Sequence, residues 1–158
     1  MKSGLPTLTE DILFDRRGAI GLVTLNRPKA LNALTLPMIR AFWRQLDRWE
    51  PDPAVRAIVM VGAGDRAFCA GGDIRAIHDA GKSGDPVGQA FFREEYALNL
   101  RLHRLAKPCV AILDGVTMGG GVGLSVHGSH RVATDRILFA MPETGIGLFP
   151  DVGGGYFL

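Results

Sequence analysis

Cysteine is scarce in this chain. The only two, Cys69 and Cys109, stand forty residues apart, which excludes a disulfide scaffold and a CxxC metal site and fits a reducing compartment. A basic stripe is also lacking: the net charge is +2 with both signs scattered, so the electrostatic footprint of a nucleic-acid binder is absent. The longest uncharged stretch, 115–130, is broken by glycines and follows Asp114, so no membrane span is expected. The N-terminus, MKSGLPTLTEDILFDRRG, has no apolar core of a secretory leader. With no targeting segment seen, a cytoplasmic protein is expected. Neither G-x-G-x-x-G nor G-x-x-x-x-G-K-[ST] nor G-x-S-x-G occurs, which weakens a nicotinamide-dependent enzyme and removes the nucleophile-elbow hydrolases.

Glycine, by contrast, is abundant. It supplies 21 of 158 residues, well above the usual share of roughly 7%. The excess gathers in 115–128 and 145–155 among apolar residues, a pattern of tight turns and close backbone approach rather than disorder. With 47% apolar residues, a single well-filled domain over 1–158 is expected. The chain stops on the apolar GGGYFL, and a C-terminal helical part of a longer protein is expected to be missing.

The periodicities read as alternating strands and helices. AIGLVTLN (19–26) is a strand. Residues 36–49 carry apolar side chains at helical spacing, with Thr35 as cap and Pro37 in the first turn. RAIVMVGAG (56–64) is read as a fully buried strand, a short helix begins near Asp73, and GKSGDP (81–86) is a polar break. A long helix covers 86–106, with Phe91, Leu98, Leu102 and Leu105 on one face. KPCVAILDG (107–115) is a strand, MGGGVGLSVHG (118–128) a glycine-opened helix, and two short strands flank a turn at Asp135–Arg136. That order predicts an α/β fold with a largely parallel core.

Two features point to chemistry. AGGD and MGGG both follow strand-like segments, where glycine lets main-chain N–H groups approach a ligand without a Cβ in the way. Close helix packing that tolerates only glycine is the alternative. The tail LFAMPETGIGLFPDVGGGYFL holds just two charges, Glu143 and Asp151. Apolar neighbours such as Ile146 and Phe149 are expected to desolvate these acids and raise their pKa values.

LNRPKALNAL, FCAGGDI, KPCVAILDGVTMGGGVGLSVHG and FAMPETGIGLFPDVGGG together resemble the crotonase (enoyl-CoA hydratase/isomerase) superfamily over about residues 12–158. FFREEYALNLRLH and MPETGIGLFPDVGGGYFL resemble its 3-hydroxyisobutyryl-CoA hydrolase branch. The resemblance implies a spiral of β-β-α units and a thioester oxygen held by two backbone amides, at Gly72 and Gly120 by motif position. It implies catalytic roles for Glu143 and Asp151, and a substrate contact for Glu95. The hydratases carry a second glutamate where this chain has Gly123, so hydration of an enoyl-CoA is disfavoured. The implied activity is hydrolysis of a short branched 3-hydroxyacyl-CoA in valine catabolism, with coenzyme A entering as part of the substrate, no other cofactor or metal, and a trimer-based homo-oligomer. A hydratase or isomerase, and an acyl-CoA-binding fragment without turnover, are the alternatives. The resemblance leaves open whether Glu143 attacks the carbonyl or acts as general base.

Simpler readings stand beside these roles. Glu143 caps the TGIG turn, Asp151 caps the glycine turn after it, Glu95 is a solvated helix charge, and Asp73 is an N-cap. The four histidines are packing or surface residues, and Cys69 is a small buried residue rather than a nucleophile. Arg16, Arg17 and Lys29 are either contacts for CoA phosphates or ordinary surface charge.

Overall fold

The computed structural model describes residues 9–158; the first eight residues of the stretch read for a leader lie outside them. The chain runs β1 (Ile12–Arg17), β2 (Ile20–Leu25), α1 (Leu36–Trp49), β3 (Ala57–Gly62), β4 (Ala67–Cys69), α2 (Ile74–Ser83), α3 (Val87–Arg104), β5 (Cys109–Leu113), β6 (Val116–Met118), α4 (Gly120–Val126), β7 (His130–Ala133), β8 (Leu138–Ala140) and α5 (Gly154–Phe157). Two sheets result, ordered β1-β2-β3-β5-β7 and β4-β6-β8. Apart from the antiparallel β1–β2 hairpin, every pairing is parallel.

The logic is a repeated step. Each of β3, β5 and β7 lies in the large sheet, and a tight turn sends the chain into the short strand that follows it in the small sheet. The helices α2–α3 and α4 then return it for the next step. These are the expected β-β-α units of an α/β fold. The short strands β4 and β6 were not expected, because three residues are too few to display an alternation. The strand β1 escaped because four of its six residues are exposed and two are arginines.

Local signals set the helices. Thr35 Oγ1 accepts from Met38 N at 3.4 Å, with Pro37 in the first turn of α1. Asp73 caps α2 by accepting from Ala76 N at 3.3 Å. The polar break is shorter than 81–86, since α2 continues to Ser83 and stops at Gly84 in the left-handed conformation. The core joins Val23, Leu25, Ile58 and Met60 of the large sheet to Met38, Ile39, Phe42 and Leu46 of α1 and to Leu98 and Leu102 of α3. Strand β3 is not buried on both faces: Ile58 and Met60 are buried, and their neighbours only half-buried.

One side chain ties the early turn to the step between sheets. Asn32 is fully buried at φ 57°, a conformation asparagine tolerates. Its amide donates to Ala63 O at 3.0 Å and Ala67 O at 2.8 Å, while its oxygen accepts from Arg27 N at 2.9 Å. Asn32→Ala strands these groups, and a loss of about 2 kcal/mol is expected, measured as a lower urea midpoint with an unchanged m-value.

Candidate active site

Two glycine turns meet where the chain passes from the small sheet into its helices. Gly71 has φ 109° and Gly119 has φ 50°, conformations that side chains rarely adopt. A Cβ on Gly71 would stand 3.5 Å from Gly120 N and 3.6 Å from Gly119 Cα, so the turns lie in contact. Leu34 N donates to Gly71 O, and Asp73 N donates to Leu34 O, both at 2.8 Å. In this parallel bridge the flanking groups are consumed, and the Gly72 N–H is turned the other way. Gly120 opens α4, where the first N–H groups have no partner within the helix.

Sequence patterns missed what steadies the first turn. Arg27 donates through Nη2 to Asp73 Oδ2 at 2.9 Å and through Nη1 to Ala33 O at 2.7 Å. It therefore grips both sides of the Leu34–Gly72 bridge. An arginine 46 residues before its partner leaves no local signal. Asp73 is thus a cap and an ion-pair partner.

Two acids close on the second turn, and a third, Asp151, lies near enough for its charge to act on both. Glu95 is 2% exposed, so it is not a solvated helix charge. A Cβ on Gly120 would stand 2.2 Å from Glu95 Oε1; the glycine makes room for that carboxyl. A Cβ on Gly119 would stand 2.9 Å from Glu143 Oε1. Asp151 Oδ2 accepts from Tyr96 Oη at 2.7 Å, so the Asp151 side chain is engaged by a phenol and not by the glycine turn after it. Burial, then the charges of Asp151 and Glu143, push Glu95 up to about 8. Glu143 is also raised, chiefly by burial and further by Asp151. The Tyr96 phenol is raised by burial first and Asp151 next, so it stays a donor. The expected source of desolvation is corrected: Phe149 is 73% and Ile146 59% exposed, and Glu143 is covered instead by the Gly119 turn.

Several unmet polar atoms belong to these acids and to Asn99, one turn further along α3. Among the described residues, the buried side-chain atoms without a hydrogen-bond partner are Glu95 Oε1, Glu143 Oε2, both amide atoms of Asn99, and Thr117 Oγ1. Such atoms are uncommon in a fold and call for a reason. A polar ligand among Glu95, Glu143 and Asn99 would supply one.

The Gly123 position is occupied by neighbours. A Cβ there would meet Asn99 Nδ2 at 2.7 Å and Val152 at 3.0 Å. A glutamate side chain has no room without displacing both. Cys69 is buried and pushed up to about 12 by burial, an inert thiol. His127 departs from a plain packing role, since its Nε2 bonds Val152 O at 2.7 Å.

Residues 20–158 match the sequence profile of the enoyl-CoA hydratase/isomerase family. The chain belongs to that family. Among curated relatives, a mitochondrial 3-hydroxyisobutyryl-CoA hydrolase of Danio rerio is 63% identical over 94% of this chain and 39% of its own length. The Homo sapiens protein of that name is 60% identical over the same shares. The chain thus spans about two fifths of these relatives. Family crystal structures superpose closely. A carnitinyl-CoA dehydratase from Mycobacterium thermoresistibile is 49% identical with a TM-score of 0.90, over 94% of this chain and 44% of that one. An enoyl-CoA hydratase from Rhodobacter sphaeroides is 46% identical with a TM-score of 0.87, over 91% and 43%. These likenesses bear out the crotonase-like fold.

The cytoplasmic expectation is overturned, because these close hydrolase relatives are mitochondrial proteins. The physical reason is that an organelle address is read by a receptor and is separate from the folded core. The lack of an apolar leader speaks only to secretion. No helix among the described residues is long and apolar enough to cross a membrane.

The raised Glu95 has a consequence for stability. In the unfolded chain this group titrates near 4.5, and in the fold at about 8. Between those values the folded state holds a proton that the unfolded state has lost. The contribution is complete below pH 4.5 and declines by roughly 1 kcal/mol per pH unit toward pH 8. Glu95→Gln is expected to flatten that decline in urea midpoints taken from about pH 5 to about pH 8.

Proposed function

We propose that this chain carries the thioester-hydrolysing site of a 3-hydroxyisobutyryl-CoA hydrolase, acting on a short branched 3-hydroxyacyl-CoA of valine breakdown. The observation that carries the reading is the meeting of Glu95 and Glu143 at the Gly119–Gly120 turn with Asp151 beside them, and the Gly123 hollow filled by Asn99 and Val152. The names of the curated relatives support the same choice.

In this reading the thioester oxygen lies between the amides of Gly72 and Gly120. Their fixed dipoles stabilise the negative charge that develops there, each donor being worth about 2.7–4 kcal/mol in the best-studied case. Glu143 acts on the carbonyl carbon through water. Its raised pKa suits a group that must take a proton near neutral pH. A C–O bond forms from water, the C–S bond breaks, and the leaving sulfur receives the proton to give free coenzyme A. Glu95, protonated below about pH 8, can both donate to and accept from the substrate's 3-hydroxyl. Asp151, held by Tyr96, is the second acid that orients this hydroxyl. No cofactor is required.

A hydratase remains the rival, because solved relatives at 49% and 46% identity are a carnitinyl-CoA dehydratase and an enoyl-CoA hydratase. The two are separable with the full-length protein. Hydrolysis of 3-hydroxyisobutyryl-CoA releases a thiol, whereas hydration of crotonyl-CoA consumes the enoyl absorbance and releases none. Thiol release is expected. Glu143→Gln and Asp151→Asn should each lower kcat by about 10²–10⁴ while KM stays within about threefold. Crotonyl-CoA hydration without thiol release, or an unimpaired Glu143→Gln, would overturn the reading.

A further inference from the structure

Asp151 sits in an unpromising place for a well-aimed acid. The tail around it is open: Phe149 is 73%, Tyr156 95% and Leu158 75% exposed. The next residue, Val152, is β-branched yet has φ 44°, a conformation costly for such a side chain. Something outside the tail must hold this turn.

Three contacts from two helices do so. The Tyr96 hydroxyl on α3 donates to Asp151 Oδ2 at 2.7 Å. The His127 ring, at the C-terminal end of α4, reaches the carbonyl of Val152 at 2.7 Å. A carbonyl only accepts, so Nε2 carries the proton. The Val152 side chain is 7% exposed and occupies the hollow left by Gly123. The acid is thus fixed at its carboxylate, at the following carbonyl and at the following side chain. Tyr96 also adjoins Glu95 in sequence, so one turn of α3 aims both acids.

Resting on the hydrolase reading above, we propose that Tyr96 and His127 are positioning residues that clamp the Asp151 turn against α3 and α4. Neither touches substrate in this arrangement. Both act by holding a carboxylate to within a fraction of an ångström, and misplacement of about 1 Å costs on the order of a hundredfold in rate.

Thiol release by the full-length protein tests the clamp. Tyr96→Phe keeps the ring beside Phe92, 6.1 Å away, and deletes only the hydroxyl. A drop in kcat of about tenfold is expected, with KM and the melting temperature nearly unchanged. His127→Leu should fall similarly, and His127→Gln, whose amide restores a donor near Nε2, should recover most of the rate. In the Asp151→Asn background, Tyr96→Phe should cost nothing further, since contacts serving one group are not additive. Turnover by Tyr96→Phe within twofold of the parent, or a full tenfold loss on top of Asp151→Asn, overturns the clamp alone. Full thiol release by Asp151→Asn also overturns the clamp and leaves the hydrolase reading standing, whereas no thiol release by the parent protein overturns the hydrolase reading itself.

Discussion

The close approach of two main chains, with side-chain atoms left out, is the constraint on which everything else here depends. A Cβ on Gly121 would stand 2.2 Å from Cys69 O, and one on Gly115 2.3 Å from Arg66 O. At such separations only glycine is admitted. The small sheet and α4 can therefore draw the two turns together until the Gly71 and Gly120 backbones touch. That contact sets the Gly71 turn beside the Gly119–Gly120 turn. It also opens the space into which Glu95 and Glu143 extend.

The acids gathered there oppose folding. A carboxyl raised to about 8 is one that the fold keeps from water, and several of its neighbours lack partners. Buried polar atoms left unmet cost free energy. The surrounding structure offsets this with well-anchored supports. Arg27 ties the first turn to the segment before α1, Asn32 ties that segment to β4 and to the residue after β3, and the hydrophobic core under α1 and α3 holds the helix that delivers Glu95, Tyr96 and Asn99. Stability is spent locally where function needs groups held ready.

Gly123 shows how one absence reshapes a site. The hollow that a side chain would fill is taken by the Asn99 amide and Val152. The tail turn can then fold inward far enough for Asp151 to meet Tyr96. A missing side chain on α4 and an acid twenty-eight residues later are two aspects of one arrangement.

What could be read from the chain alone was whatever short-range rules control. Helix α1, its Thr35 cap, the Asp73 cap, strands β2, β3 and β5 and the glycine turns all follow from spacing within a dozen residues. The resemblance to a known family pointed to Glu95, Gly72, Gly120, Glu143 and Asp151. The short strands β4 and β6 were illegible, because pairing partners far along the chain create them. Arg27 on Asp73, Tyr96 on Asp151 and His127 on Val152 were illegible for the same reason: each joins segments at least 25 residues apart. Burial reversed one inference. The apolar residues beside Glu143 in sequence face outward, and glycine backbone covers it instead. Composition and local pattern thus determined which groups are present and which elements carry them. Only the tertiary structure decided which groups meet, which are kept dry and which stay protonated, since distance and solvent access belong to the folded chain.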